Sequence, residues 1–558
     1  MFVLLLAAFG PAHAYDLVGT GAFGGGSVQV TEDFELRYHR LQEQLPLFPD
    51  RRVLDYWEQV NRLNLLVNKD PLSIGAQVDE VLFVGNRYFL DGEEVFERNL
   101  YEPGFTSPSP NFLLRLEKAW VRRKGDNLDL TLGDAYASFG RGAALNMVKN
   151  TNIDIDTSIR GARLDARAGD VEAVLITGVS NTQDISRFNP NFGITKDEPH
   201  MVTGLRLDHY AVGPVHMGAH GTLFRFARPE GFGLPGLARY DEPLDALTGG
   251  LTAEGSLKGV DYFFEGDVFQ YRSPEMTGTG EDRSLGHLLY GSAAFYPGKM
   301  SILVEGKHSQ DTERINAFTV AEGWEVAATP TLEYEMVITE DSAAAVNSND
   351  LWGGRIRADY AIKPGTFVPY LSVAAFRDED LGGLHFNPSP ETIGHAVGGL
   401  QLLEGRRIIQ FNGGYRIDQR DVAADGADRM AHLDAEIQIP VTETGAVEIA
   451  LNGRRFWWGE NAFEQADFLE MNNALGWHQG ERWIFLIYQD FTDNPLIQSR
   501  GNLDDHLYGA LEAIWRPQPS TTVRFFYGAY KAGIRCSGGQ CRSLPGFEGG
   551  RVSWSTTF

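Results

Sequence analysis

The chain has 558 residues, with 49 Lys and Arg against 75 Asp and Glu, a formal net charge of −26. That balance argues against nucleic acid as a partner, because a nucleic-acid binder needs a basic face to displace counterions from phosphates. With 63 Gly, 34 Phe, 20 Tyr, 10 Trp and only 2 Cys, the composition excludes a disulfide-built scaffold and a Cys-rich metal or iron–sulfur protein. It suits many strands joined by tight turns.

The N-terminal 14 residues, MFVLLLAAFGPAHA, carry an apolar run from Phe2 to Phe9 that ends in Ala12-His13-Ala14, the small-residue pattern of a signal-peptidase site. Residues 1–14 are therefore expected to be a signal peptide and 15–26 a short periplasmic segment. After Ala14 no apolar stretch reaches the ~18 residues that a spanning helix needs. An exported protein without a helical anchor is expected.

From Ser27 onward, segments of about ten residues alternate apolar and polar side chains between turn residues, the pattern of half-buried strands. Between Met430 and Ile439, Leu433, Ala435, Ile437 and Ile439 share one face, and His432, Asp434, Glu436 and Gln438 the other. The connections alternate in length. Short turns such as Lys124-Gly125-Asp126, Ala168-Gly169-Asp170 and Pro297-Gly298-Lys299 are separated by long polar loops at 228–245, 273–285, 378–392, 418–428, 491–504 and 532–545. Short turns at one end, long loops at the other and strands of this length predict an all-β fold: a single-chain transmembrane antiparallel up-and-down β-barrel over residues 27–558. A membrane supplies the reason to close the sheet, since in hydrocarbon every backbone N–H and C=O must pair inside the protein. A propeller would show a fixed period of about 40 to 50 residues, and none is present. The turn parity predicts about 24 strands, within about 22 to 26, with both chain ends on the periplasmic side. The first three are expected at 27–39, 58–68 and 72–84, and 331–339 is a candidate extra strand. Trp457, Trp477, Trp483 and Trp515 near strand ends read as an interfacial aromatic girdle.

Barrels of about 22 strands are normally plugged, so a bore of this size should be filled by inward loops or closed by a partner. The best candidate for an inward segment is 139–156, FGRGAALNMVKNTNIDID, with Gly140, Arg141 and Gly142 as a hinge and lumen constriction. Loops 87–111 and 310–351 are second choices. Candidate lumen charges are Arg163, Asp165 and Arg167, then Arg355, Arg357 and Asp359, then Arg416 with Asp418. Facing rows of opposite charge would set up a transverse field selecting polar solutes; paired charges would instead stiffen a polar interior.

Motifs that carry chemistry are few. Residues 19–24 and 231–236 match G-x-G-x-x-G, but neither lies between a strand and a helix. No G-x-S-x-G elbow and no D-x-D-x-D-G calcium loop occurs. His216 and His220 would share one face of a strand but stand about 13 Å apart at ~3.3 Å per residue, too far to share a metal unaided. No catalytic residue, cofactor or metal site is expected. Cys536 and Cys541, five positions apart in the last long loop, are expected to form a disulfide in an oxidising exported setting.

At the C-terminus Val552, Trp554, Thr556 and Phe558 alternate with Arg551, Ser553, Ser555 and Thr557. The stretch resembles the C-terminal assembly signal of bacterial outer-membrane barrels. It implies insertion by the general barrel-assembly machinery into outer-membrane lipid, with Trp554 and Phe558 as the signal residues. Gly133-Asp134-Ala135-Tyr136, Phe139-Gly140-Arg141-Gly142 and Arg160-Gly161-Ala162-Arg163 together resemble a pattern in a family of large, functionally uncharacterised bacterial outer-membrane barrels. That resemblance implies a barrel and assigns no substrate. The expected function is a porin-like channel of the bacterial outer membrane, not an enzyme, passing small polar solutes through a lumen narrowed by inward loops. The alternative is a structural or secretion-type barrel whose lumen or external loops bind a partner protein.

Overall fold

A computed structural model describes residues 26–44, 51–90, 112–150, 155–183, 200–212, 214–225, 245–272, 284–310, 312, 325–326, 351–378, 391–420, 427–457, 467–493, 507–531, 533–537, 540–544 and 547–558. Among them, one 25-stranded sheet contains 24 barrel strands and the two-residue strand Lys149–Asn150. Each barrel strand pairs antiparallel with the next along the chain, joined by a turn or loop, as expected of an up-and-down barrel. No helix among the described residues is long and apolar enough to cross a membrane.

The sheet closes on itself. The first strand, Ser27–Gln44, pairs with the last, Phe547–Thr557, from Thr31 opposite Thr557 to His39 opposite Gly549. The Val30 N–H donates to the Phe558 carbonyl at 3.2 Å, and the Phe558 N–H donates back to the Val30 carbonyl at 2.8 Å. Closure removes the two edges that a flat sheet would leave unpaired.

The period-two alternation then sorts every strand into two faces. In Val260–Arg272, Phe264 and Val268 face out and are about half exposed, whereas Glu265 and Asp267 face in and are buried. Outward Leu, Val, Ile and Phe recur round the wall, at Leu205, Leu251, Leu289, Ile356, Leu433, Leu475 and Leu511 among others. Such a continuous exposed apolar belt is unfavourable in water and favourable in lipid. At the short-turn end, Trp483 and Trp515 lie on this outer face and stack at 5.7 Å, in the position of an interfacial girdle.

The strand count agrees with the alternation, but the first three strands run longer than expected, to Ser27–Gln44, Arg51–Lys69 and Leu72–Leu90. Their pairing continues without a break to Gln44 opposite Arg51 and Arg51 opposite Leu90. Backbone hydrogen bonds between neighbours carry the ladder past the point where apolar alternation fades. Residues 1–25, 91–111 and 331–339 lie outside the described residues. Gly533–Ser537 and Gln540–Leu544 form a small antiparallel hairpin with Cys536 opposite Cys541.

Placing a charge in the belt measures the lipid exposure of the wall. Leu251→Arg, at the middle of Asp245–Leu257, is expected to destabilise the barrel by about 2 to 4 kcal/mol in denaturant unfolding from lipid vesicles. Thr252→Arg, on the inner face, should cost much less.

Candidate functional site

A hairpin is folded into the interior of the barrel. Ala137–Phe139 pairs antiparallel with Leu145–Met147, joined through Gly140-Arg141-Gly142. Gly140 and Gly142 both sit at positive φ, 59° and 97°. This is a backbone region where only Gly avoids a steric cost, and it allows the chain to reverse sharply.

Phe139, Ala144, Leu145 and Met147 bury their side chains against the inner wall, meeting Ile159, Val174, Ile176, Val202, Phe224, Ala246, Phe269 and Leu288 in one core cluster. Phe139 and Leu288 are fully buried. A Cβ at Gly204 would overlap the Phe139 ring, so the missing side chain makes the ring's seat. Burying a Phe and a Leu is worth roughly 1.5 to 3 kcal/mol each, a large part of what holds the hairpin down.

Polar contacts fix the hairpin's position. The wall side chains donate to its backbone carbonyls: Arg206 to Ser138 at 3.3 Å, Thr222 to Ala144 at 3.0 Å, and Arg163 to that of Tyr136. The turn itself sits on Glu265. The Arg141 N–H donates to both carboxylate oxygens at 3.1 and 2.8 Å, and a Cβ at Gly140 would overlap the same carboxylate. The Arg141 guanidinium donates to the Tyr290 hydroxyl at 3.1 Å, and its carbon lies over the Tyr290 and Phe263 rings at 4.6 and 5.4 Å. Tyr290 donates in turn to Glu305 at 2.7 Å, and Arg355 pairs with Glu305.

The base of the hairpin is a second polar knot. Asp134 accepts from the Ala119 N–H at 2.7 Å, from Asn181 at 2.7 Å and from Ser158 at 3.1 Å, and pairs with Arg160. Asp156 accepts from the Tyr136 hydroxyl at 2.7 Å and pairs with Lys149 at 2.9 Å. Lys118 bridges the two halves, donating to Ser158 and to the Asp156 carbonyl. The three short motifs singled out in the sequence thus converge. Asp134, Arg160 and Arg163 tie down the base of the hairpin, and Gly140 and Gly142 shape its turn.

The candidate lumen charges lie on inner faces and are paired, six of the eight within one strand. Arg163 chelates Asp165, Arg357 chelates Asp359 while its guanidinium lies over the Tyr370 ring, and Arg416 pairs with Asp418. Arg355 pairs across strands with Glu305, and Arg167 is an exposed partner of Glu172 at the short-turn end. This is the arrangement of paired charges, and the described residues do not form opposed rows of free acid and free base. The two histidines also separate. His216 contacts Glu254 at 2.7 Å near the short-turn end, whereas His220, deep in the wall, meets Asp267 at 2.6 Å. Residue spacing alone did not point to Glu265, Tyr290 or Asp267 as partners. They look like ordinary members of an alternating strand, and only the register of the sheet brings them under the hairpin.

No protein-family model and no curated protein matches the chain. Among solved structures, it is similar to the siderophore receptor PirA from Pseudomonas aeruginosa, with 8% identity, TM-score 0.44, and coverage of 95% of this chain and 80% of that one. It is similar to the ferric enterobactin receptor PfeA from the same organism (9% identity, TM-score 0.46, 96% and 82%). A third is the translocation pore of the P pilus usher PapC (9% identity, TM-score 0.41, 95% and 99%). The closed sheet of this chain is established by its own strand pairing.

Proposed function

We propose that this protein is a channel of the bacterial outer membrane that passes small polar solutes, with the hairpin at 137–147 as its constriction. The observation that carries the reading is the hairpin's seat. An apolar tip buried in a matching patch of inner wall, with its turn fastened to Glu265 and Tyr290, occupies lumen that a bare barrel of this size would leave open. The polar, pairwise neutralised inner wall supports a water-filled path beside it, because it offers solutes hydrogen bonds without a large net field. The belt of outward apolar residues supports the membrane assignment. Cys536 and Cys541, opposite one another in a loop-end hairpin, support a disulfide that stiffens an external tip; both lie on one tryptic peptide, 536–542, and mass spectrometry without reductant reads the bond as the loss of two hydrogens from that peptide, regained on reduction.

Single-channel recording tests the constriction. Replacing residues 138–146 by a short Gly-Ser linker is expected to raise the unitary conductance in planar bilayers by about two-fold or more. Unchanged conductance would remove the hairpin from the conduction path. The latch has its own readout in trypsin cleavage after Arg141. Gly140→Val forces a side chain into the Glu265 carboxylate and a strained φ, and should speed that cleavage about ten-fold or more, equivalent to at least ~1.4 kcal/mol less protection.

A further inference from the structure

Beneath the hairpin's turn lies a group of side chains of which the latch uses only Glu265. His220, Gly250 and Asp267 occupy one register row across three adjacent strands, His220 opposite Gly250 and Gly250 opposite Asp267. With a side chain at the middle position the outer two could not meet. A Cβ at Gly250 would overlap both the Asp267 carboxylate and the His220 Nε2. Glu265 stands two residues along from Asp267 on the same inner face. One imidazole nitrogen and two carboxylate oxygens from these three buried residues all lie within 4.8 Å of one another. Asp267 Oδ2 is buried and has no hydrogen-bond partner. An acceptor orphaned in this way costs free energy unless something positive reaches it.

We propose that His220, Glu265 and Asp267 bind a divalent transition-metal ion, with Zn2+ as the best match. One neutral imidazole and two carboxylates are a borderline-to-hard donor set, which disfavours Mg2+ and Ca2+ with their all-oxygen preference. Three protein ligands with one open position fit the four-coordinate habit of Zn2+. The ion takes the place of the hydrogen bond between His220 Nε2 and Asp267 Oδ1 at 2.6 Å; His220 ligates through Nε2 as a neutral imidazole with its one remaining ring proton on Nδ1. Asp267 Oδ2 gains a positive neighbour. Glu265, held as a carboxylate by the ion, keeps its remaining acceptor sites for the Arg141 N–H. The site does not rest on the solute-channel reading, because its ligands come from the barrel wall alone.

Isothermal titration of the purified, chelator-stripped full-length barrel with ZnCl2 decides the matter. The expected result is one Zn2+ per chain. His220→Ala and Asp267→Asn are each expected to weaken binding about ten-fold or more. Gly250→Ala, which fills the gap between them, should do the same, and His216→Ala, outside the cluster, should leave it intact. Equal binding by wild type and by the His220→Ala, Asp267→Asn double variant overturns the assignment. So does no uptake by wild type at millimolar Zn2+. If the variants do not fold, X-ray absorption of the Zn2+-loaded wild type reads the shell directly. One imidazole among oxygen ligands supports the site, and an all-oxygen shell or two or more imidazoles overturns it. None of these readouts involves conductance, so failure here and failure of the channel reading are told apart.

Discussion

The constraint on which the whole architecture depends is that a backbone in hydrocarbon has no water to bond. Each N–H and C=O left unpaired there costs several kcal/mol. A sheet meets this requirement only by closing, and the junction of Ser27–Gln44 with Phe547–Thr557 does so. Once closure is imposed, the pleat dictates the rest. Successive residues must point alternately to lipid and to lumen, so the outer positions become Leu, Val, Ile and Phe. The inner positions are free to be polar. The short-turn ends tighten, while the opposite ends accept loops of many lengths.

A polar interior brings its own demand. Charges held out of bulk water are costly unless paired, and removing one partner of a buried pair is costlier than never having had it. The inner wall answers with local neutrality: Arg62 on Asp79, Arg37 on Glu35 and Glu58, and Arg355 on Glu305, all buried. The net charge of −26 therefore need not reach the lumen as a field. Among the described residues one apolar stretch of inner wall, the patch of Val174, Ile176, Val202, Phe224, Ala246 and Phe269, is the stretch the hairpin covers. The apolar tip and the apolar patch explain each other, since either alone would expose hydrocarbon to water in the lumen.

What could be read from the sequence was what depends on neighbours along the chain. Alternation at Met430 to Ile439, the tight turns and the terminal Trp554 and Phe558 are local signals, and they yield the barrel and its strand number. Segment 139–156 was legible as unusual because its glycines and mild apolarity break the strand pattern. Its entry into the lumen could be expected on that ground, but its seat on the wall was not legible. Arg141 and Glu265 are 124 residues apart, and which inner residue lies under the turn depends on the cumulative register of the intervening strands. The histidines illustrate the same limit. Spacing along one strand separates His216 from His220, while register across strands brings His220 to Asp267.

Glycine ties these levels together. Gly204, Gly250 and Gly140 are far apart in sequence, yet each removes a Cβ from the same small region: one admits the Phe139 ring, one lets His220 and Asp267 touch, and one lets backbone approach Glu265. In a strand interior glycine weakens the sheet, because it brings entropy and no packing. Two of the three, Gly204 and Gly250, are in barrel strands and carry that cost. The geometry around them shows what offsets it, namely an apolar seat and a set of convergent acceptors that a wall lined with side chains could not form. The inward hairpin is thus a consequence of where the wall was left thin, and the chemistry available beneath it follows from the same omissions.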